Sequence, residues 1–362
     1  MPMPLKMIHV GLGGWGERWC KVFLPPNVQG GLIDVRAVVD LDTKALEMAR
    51  SVLGLRSDQC YTDVREAFEK NQADFCTIVV PPAFHEKVVD EALAHDLHIL
   101  SEKPIADTLL GSVRIAAKVK RSGKKMGVTM SHRFDQDKAT LRQLLHSGRY
   151  GQLDYLVCRF TCEARKFATW GKFRHEIEDA LMVEGAVHHL DILADLASAK
   201  CESVYAETWN PPWGEFAGDS QALVTMHFPN QVRALYEGAK TNAVGLNGWA
   251  NEYIRAECRE ATVILDRRQI EYFPYEPKGR WTVGVAGQGK QVPLLQQAKW
   301  ANTWLIEKFV RWVEGGEPME TNVEDNLQSV ALIFAGIQSA RSGKPVLVQE
   351  MLCEAQEQAS LT

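Results

Sequence analysis

One stretch of the sequence places an imidazole among carboxylates at helical spacing. Glu184 and His188 are four residues apart, Asp191 follows three residues after His188, and Asp195 follows four residues later. On a helix all four side chains fall near one face. An imidazole between carboxylates that orient it and set its charge suits a general acid or base. The stretch therefore predicts an acid/base site, with a buried structural histidine as the alternative.

A lysine occupies a second position suited to chemistry. Glu102, Lys103 and Pro104 directly follow the apolar run at residues 98–100, which reads as a strand. In an open parallel sheet, ligands bind in the crevice beyond the carboxyl ends of the strands. We therefore expect Lys103 to point into that crevice, and the alternative is a solvated loop lysine.

A glycine-rich loop precedes these residues in the chain. Gly11, Gly13 and Gly16 follow the apolar run 6–10 and open a helical pattern. This is the dinucleotide-binding fingerprint, in which the glycines allow a tight turn, a close approach to a pyrophosphate and close helix packing. Asp40 ends the next apolar run, where its carboxylate can accept from both ribose hydroxyls and repel a 2′-phosphate. NAD is therefore favoured over NADP, unless Asp40 only caps the following helix.

The order of these features resembles one family over nearly the whole chain, that of glucose-fructose oxidoreductase, inositol dehydrogenase and rhizopine-catabolism protein (Gfo/Idh/MocA). The resemblance implies that Lys103 and His188 are catalytic, supported by Glu184. The family pattern at the helix is Asp-x-Gly-x-His-x-x-Asp, whereas this chain has Glu184-x-Ala186-x-His188-x-x-Asp191. The longer first acid leaves the role of Glu184 open.

The same reading assigns residues to the cofactor and to the substrate. The expected cofactor-binding residues are Gly11, Gly13, Gly14, Trp15, Gly16, Asp40, Pro81, His85, Glu102 and Lys103. The expected substrate-binding residues are Arg133, Trp170, Arg174, His175, Glu184, His188 and Asp191. Tryptophans 170, 209, 213 and 249 include loop positions suited to stacking on a sugar, with surface packing as the alternative. No metal is expected, because His188 and His189 diverge by about 100° on a helix.

The chain length and the hydrophobic periodicity predict two domains. A chain of 362 residues exceeds one average core. Residues 1–130 alternate apolar strands with helices, which predicts an NAD-binding Rossmann domain with a doubly wound parallel sheet. From residue 153 the period changes to two, with six strand candidates, which predicts an open and mostly antiparallel sheet. The resemblance implies that residues 131–362 bind substrate and oligomerise, and that the last helices return to the first domain.

Composition and charge exclude other classes of protein. A net charge of -5 without a basic run argues against a nucleic-acid partner. No apolar stretch reaches the roughly 18 to 20 residues that span a bilayer, and the amino terminus carries no export signal. A cytoplasmic protein with a small carbohydrate substrate is expected. Apolar residues on both faces of the second sheet, such as Val224 on one and Leu223 on the other, further predict a homodimer or homotetramer.

The predicted activity is NAD-dependent hydride transfer between nicotinamide and a hydroxyl of a sugar, cyclitol or glycoside. His188 takes the hydroxyl proton, and Lys103 stabilises the developing alkoxide. One alternative is a glycoside-processing or aldose-aldose oxidoreductase that retains NAD with no net redox change. Another is a non-catalytic regulatory protein that binds NAD and a sugar.

Overall fold

The computed structural model describes residues 3–277 and 287–361. Within these limits the chain forms two compact units. Of the described residues, the first unit comprises 3–134, Lys299–Val330 and 354–361, and the second comprises 135–277, 287–298 and Ala331–Cys353. Each unit is built around one β-sheet. Among the described residues, no helix has the length and apolar character required to cross a membrane.

The first unit contains a six-stranded parallel sheet. Its strands are β1 (Leu5–Val10), β2 (Ile33–Val39), β3 (Cys60–Tyr61), β4 (Phe75–Ile78), β5 (His98–Ser101) and β6 (Met126–Val128). Their order is β3-β2-β1-β4-β5-β6, and all neighbours are parallel. β4 is buried along its whole length, as expected for a strand covered on both faces. The predicted doubly wound sheet is confirmed.

The second unit contains a nine-stranded sheet. Its strands are β7 (Leu153–Thr161), β8 (Ser203–Trp209), β9 (Gln221–His227), β10 (Arg233–Ala239), β11 (Tyr253–Cys258), β12 (Ala261–Asp266), β13 (Gln269–Pro274), β14 (Lys290–Val292) and β15 (Val346–Leu347). Their order is β14-β13-β12-β11-β7-β10-β9-β8-β15, and only β7 with β10 is a parallel pair among them. The mostly antiparallel sheet is confirmed.

The sequence pattern underestimated the size of this sheet. It indicated six strands, and the additional strands are β13, β14 and β15. β14 has three residues and β15 has two, so neither is long enough to show a period of two. Both lie at the sheet edges, where long-range pairing rather than local pattern defines them.

Twelve α-helices accompany the two sheets in the described residues. They are α1 (Trp15–Arg18), α2 (Leu24–Gln29), α3 (Thr43–Leu53), α4 (Val64–Lys70), α5 (His85–Ala94), α6 (Leu109–Ser122), α7 (Gln136–His146), α8 (Lys172–Glu176), α9 (Val187–Ala197), α10 (Ala301–Val313), α11 (Val323–Ser342) and α12 (Val348–Ser360). Two π-helical turns, Trp19–Phe23 and Met182–Ala186, follow α1 and precede α9. Short 3-10 turns occur at Ser57–Gln59, Pro82–Phe84 and Ser131–Phe134.

The nine-stranded sheet buries one face and leaves apolar side chains on the other. Val224 and Met226 of β9 are fully buried. The alternate residue Leu223 is 44% exposed, and Leu235 of β10 is 41% exposed. Helix α9 packs against β7 and β10 of this sheet. The alternation matches the two-faced sheet expected from the sequence.

Candidate functional site

Two glycines of the loop after β1 leave no space for a side chain. Gly11 has a φ of +94°, and a Cβ there would lie 2.2 Å from the Val79 carbonyl oxygen. A Cβ on Gly16 would lie 2.1 Å from the Gly11 carbonyl oxygen. At Gly13 and Gly14, by contrast, an added Cβ would meet no atom within 4 Å. The loop is therefore closed against β4 and open beside Gly13 and Gly14, which fits the close approach of a pyrophosphate.

Asp40 braces the glycine loop. Its Oδ2 accepts a hydrogen bond from the Leu12 backbone N–H at 2.6 Å, and its Oδ1 accepts from the Asp42 N–H at 2.9 Å. Helix α3 is capped instead by Asp42, whose side chain accepts from the Lys44 N–H at 2.9 Å. The alternative that Asp40 only caps helix α3 is therefore wrong. Each carboxylate oxygen has a second lone pair, so Asp40 keeps acceptor capacity for ribose hydroxyls.

Glu102 is held by two tryptophans. Trp15 Nε1 and Trp19 Nε1 both donate to Glu102 Oε1, at 2.7 and 2.9 Å. The other oxygen, Oε2, accepts from the backbone N–H of Lys103 at 3.2 Å. Glu102 is only 7% exposed, and a buried carboxylate requires such donors. The glycine loop, through Trp15, is thus joined directly to the loop that carries Lys103.

His85 lies inside the first unit. Its ring is fully buried, with Nε2 2.9 Å from the Val80 carbonyl oxygen and Nδ1 3.1 Å from that of Ile105. Burial lowers the pKa of His85. The histidine therefore ties the loop after β4, which includes Pro81, to the loop after Lys103. This geometry supports an indirect role, in which His85 shapes the predicted cofactor site without an exposed nitrogen.

In the second unit, the predicted acid/base residues lie in a π-helical turn and in the helix that follows it. Glu184 lies in Met182–Ala186, and His188 and Asp191 lie in α9. The three side chains are buried, with exposures of 6%, 3% and 1%. A π-helical turn adds one residue to the helix repeat and often occurs at functional sites. The sequence predicted one regular helix here and missed this turn.

Arg174 pairs with Glu184. The Arg174 Nε donates to Glu184 Oε2 at 2.8 Å, with the arginine side chain 28% exposed and the glutamate 5%. Arg174 also donates from Nη1 to the Trp170 carbonyl oxygen at 3.2 Å. A charged hydrogen bond of this length fixes the carboxylate, so α8 and the π-helical turn are locked together. Two predicted substrate-binding residues are therefore direct partners.

His188 contacts an aromatic group through Trp249. The rings of His188 and Trp249 have centroids 5.3 Å apart at 82°, and Trp170 lies edge-on to Trp249 at 5.9 Å. The Nζ of Lys240 lies 4.9 Å from the centre of the Trp170 ring and donates to the Ala180 carbonyl oxygen at 2.6 Å. Lys240 is fully buried, which the sequence did not indicate, because a lysine directly after a strand is usually exposed to solvent.

The remaining candidates occupy separate environments. His175 is 1% exposed, has both ring nitrogens 3.2 Å from carbonyl oxygens, of Gly171 and Ala164, and stacks on Phe216 at 4.0 Å. These contacts support a structural role for His175, and its predicted role in substrate binding stays a prediction. Arg133 lies in the 3-10 turn that ends the first stretch of the first unit.

His189 has polar neighbours of its own in the second unit. Its Nδ1 lies 3.1 Å from the Tyr236 hydroxyl, its Nε2 lies 3.5 Å from Glu252 Oε1, and burial lowers its pKa. Adjacent residues on a helix diverge by about 100°.

The chain combines a Rossmann sheet and an open glycine loop with a large, mostly antiparallel sheet. This combination defines a class of NAD-binding oxidoreductases. The chain belongs to the Gfo/Idh/MocA oxidoreductase family. The family's NAD-binding Rossmann fold matches residues 5–130, and its C-terminal alpha/beta domain matches residues 142–348.

Relatives of known sequence include both uncharacterised and named proteins. The uncharacterised protein y4oX of Sinorhizobium fredii is 54% identical over 97% of both chains. An inositol 2-dehydrogenase of Corynebacterium glutamicum is 28% identical over 55% of this chain and 57% of that enzyme.

The fold is shared with solved structures. An oxidoreductase from Agrobacterium radiobacter, crystallised with NAD+, L-tartaric acid and magnesium, superposes with a TM-score of 0.82 at 19% identity, over 96% of this chain and all of the other. At this identity the similarity shows the fold alone.

Proposed function

We propose that the protein is an NAD-dependent dehydrogenase that transfers a hydride between nicotinamide and a hydroxyl-bearing carbon of a sugar or cyclitol. One observation carries the proposal: Glu102 joins Trp15 of the glycine loop to the backbone of Lys103 within 3.2 Å. A dinucleotide held by that loop therefore has its redox end at the sheet edge where Lys103 lies. Family membership and the inositol dehydrogenase relative support the substrate class.

His188 is the proposed general base. It lies at the start of α9, four residues after Glu184, whose carboxylate is held by Arg174. A base that is buried and oriented by packing loses little freedom when it takes a proton from the substrate hydroxyl. Glu184 is proposed to orient the substrate or His188 rather than to transfer a proton, because its carboxylate is already paired with a guanidinium.

Lys103 is the proposed electrostatic partner. Its ammonium stabilises negative charge on the substrate oxygen as the proton leaves, and the Glu102 contact fixes its backbone. Bound NAD supplies the hydride acceptor, a chemistry that no side chain offers. The protein residues bind, orient and move the proton.

The test replaces each proposed residue and measures turnover and nucleotide binding separately. Lys103→Met and His188→Ala should each lower turnover on the best of a panel of sugars and cyclitols by about 10² to 10⁴. NADH affinity, measured by fluorescence titration, should remain nearly unchanged. The double variant should be little worse than the worse single one, since residues that act together are not additive. Glu184→Gln should have a smaller effect.

A matched control and product analysis complete this experiment. Lys70→Met, at an exposed lysine of α4, should leave turnover unchanged. Near-full turnover by Lys103→Met at saturating substrate would rule out the proposed site. Sugar products formed without net NADH would instead indicate an enzyme that retains its nucleotide through the cycle.

A further inference from the structure

A cavity of about 550 Å³ lies at the ends of two helices in the second unit. It is lined by the last residues of α7 and α9, by the turn between β9 and β10, and by the start of β7. Among its described lining residues, none belongs to the sets assigned above to nucleotide or substrate. Small-molecule sites typically have volumes of this size. The cavity is therefore a candidate for a further binding site.

Aliphatic side chains form half of the lining. They are Leu145, Leu153, Leu196, Ala197 and Val232. Leu196 and Val232 are 1% and 3% exposed, so the packing around them fixes their positions. This surface suits the hydrocarbon part of a ligand.

Two helix C-termini meet at the cavity. His146 is the last residue of α7, and Ala197 is the last residue of α9. Asn230, which lines the cavity, donates from Nδ2 to the Ala197 carbonyl oxygen at 2.8 Å. His146 Nε2 lies 3.2 Å from the Asp195 carbonyl oxygen. The last carbonyls of α9 therefore point to side chains that line the cavity, and a helix C-terminus carries about half a negative charge.

The charge of these helix ends is not balanced by a lysine or arginine of the cavity wall. The described lining residues include no lysine, arginine, aspartate or glutamate, and His146 is the one titratable side chain among them. Basic residues of the neighbouring segments have partners of their own: Arg142 Nε lies 3.1 Å from Asp195 Oδ2, and the Arg149 guanidinium lies 5.5 Å from the centre of the Tyr272 ring. The helix ends therefore favour a cationic ligand and disfavour an anionic one.

Ser198 places a hydroxyl group at the same helix end. Its backbone is left-handed, with a φ of +54°, and its N–H donates to the Asp195 carbonyl oxygen at 3.1 Å. Its Oγ lies 2.8 Å from His146 Nε2. Left-handed backbone costs about 1 to 2 kcal/mol outside glycine, so these contacts hold the residue in place. A hydroxyl oxygen has two lone pairs and can accept from a ligand in this position.

We propose that this cavity binds an aliphatic amine in its ammonium form. The ammonium group lies at the two helix ends, and the hydrocarbon part packs on the aliphatic side chains. An ammonium has three donors, and the cavity offers acceptors in the Ser198 hydroxyl and in the side-chain amide oxygens of Gln152 and Asn230. A carboxylate of the same length would face the negative helix ends, and an alcohol would gain nothing from their charge. This site is independent of the proposed dehydrogenase activity.

The experiment titrates the full-length protein with n-hexylamine, 1-hexanol and hexanoate by isothermal calorimetry. It is done at low ionic strength and pH 8, where the amine is charged and an ordinary imidazole is neutral. Hexylamine should bind at least about fivefold more tightly than hexanol, and hexanoate should bind most weakly. Added salt should reduce the preference for the amine.

Charge variants of Gln152 place the binding in this cavity. The residue is exposed, so either charge is tolerated by the fold. Gln152→Glu should raise the affinity for hexylamine by about fivefold, and Gln152→Lys should lower it by a similar factor. Gln29→Glu and Gln29→Lys, at an exposed residue of α2 in the first unit, make the same changes of net charge and should leave the affinity unchanged.

A hydroxyl deletion gives a second test. Ser198→Gly keeps a residue that adopts the left-handed backbone and removes the Oγ acceptor, so it should weaken hexylamine more than hexanol. Equal affinities for the three compounds, tighter binding of hexanoate, or no binding of hexylamine would each overturn the inference. An affinity for hexylamine that is the same in both Gln152 variants would also overturn it, because the amine would then bind elsewhere.

Discussion

The indole N–H of Trp15 donates to Glu102 Oε1 at 2.7 Å, across 87 residues of sequence. Trp19, one helical turn later, donates to the same oxygen at 2.9 Å. The two donors lie on α1 and on the π-helical turn that follows it. The helix after the glycine loop and the lysine after β5 are therefore positioned by one carboxylate.

Removing the Trp19 donor and removing the Trp15 donor should have different effects. Trp19→Phe should lower the free energy of unfolding by about 1 to 3 kcal/mol, because it leaves a buried carboxylate with one donor fewer and opens a small cavity. Trp15→Phe, at a residue 38% exposed, should cost less stability but weaken NADH binding, since Trp15 is the first residue of α1, directly after Gly14 of the glycine loop. Denaturant unfolding and NADH titration measure the two effects. Trp300→Phe on the same unit serves as control, and unchanged NADH affinity in Trp15→Phe would contradict this assignment.

Asp40 should make NAD bind at least about tenfold more tightly than NADP, a difference of roughly 1.4 kcal/mol. The reason is repulsion between its carboxylate and a 2′-phosphate. Asp40→Ala should reduce the difference in affinity between NAD and NADP. It should also lower the affinity for both nucleotides, because the variant loses the 2.6 Å hydrogen bond to Leu12 that holds the loop.

Asp40→Asn separates these two contributions. An asparagine keeps an oxygen acceptor for the Leu12 N–H and removes the negative charge, so it should narrow the NAD preference with less loss of overall affinity. Isothermal titration with both nucleotides gives the affinities. Equal binding of NAD and NADP by the unmodified protein would refute the assignment.

The exposed apolar face of the nine-stranded sheet should mediate assembly into a homodimer or homotetramer. Leu223 and Leu235 are 44% and 41% exposed on adjacent strands. Their replacement together by glutamate should shift the sedimentation profile toward the monomer, because two charges would be buried in an apolar contact. Leu41→Glu, at a residue 87% exposed in the first unit, should have no such effect. A concentration-independent monomer of the unmodified protein would exclude this assembly.

His9 should make the first unit sensitive to acid. Burial lowers the pKa of His9 from 6.5 to about 4, and its Nδ1 lies 2.6 Å from the Thr77 hydroxyl. Between these two pH values the unfolded chain binds the proton and the folded chain does not, so stability falls as the pH falls. When the pH falls from about 7.5 to about 5, proton binding by His9 in the unfolded chain should lower the free energy of unfolding by about 2 kcal/mol.

His9→Gln tests the contribution of this one group. The variant keeps a polar partner for Thr77 but does not titrate, so its stability should fall less than that of the unmodified protein over the same pH interval. Denaturant titrations at the two pH values measure the difference, in which the contributions of all other groups cancel. Identical losses in both proteins would show that His9 is not the responsible group.

Much of the fold class could be predicted from local pattern. The glycine loop, the strand runs at β1, β4 and β5 and the change of period after residue 153 all depend on neighbours in sequence. The same holds for Lys103 at the end of a strand and for His188 four residues after Glu184. Local periodicity determines which face or end of an element a residue occupies, and this is sufficient to assign both sheets.

The tertiary structure decided which partners those residues meet. Spacing along the sequence does not predict the contacts at the site. These contacts are Glu102 with Trp15, Asp40 with Leu12, Arg174 with Glu184, and Trp249 with His188. The π-helical turn before His188 and the burial of Lys240 could not be predicted from the sequence either, because each depends on packing against distant strands and loops. A sequence states the chemistry a residue can perform, whereas only the folded chain brings together the donors, acceptors and rings that determine its role.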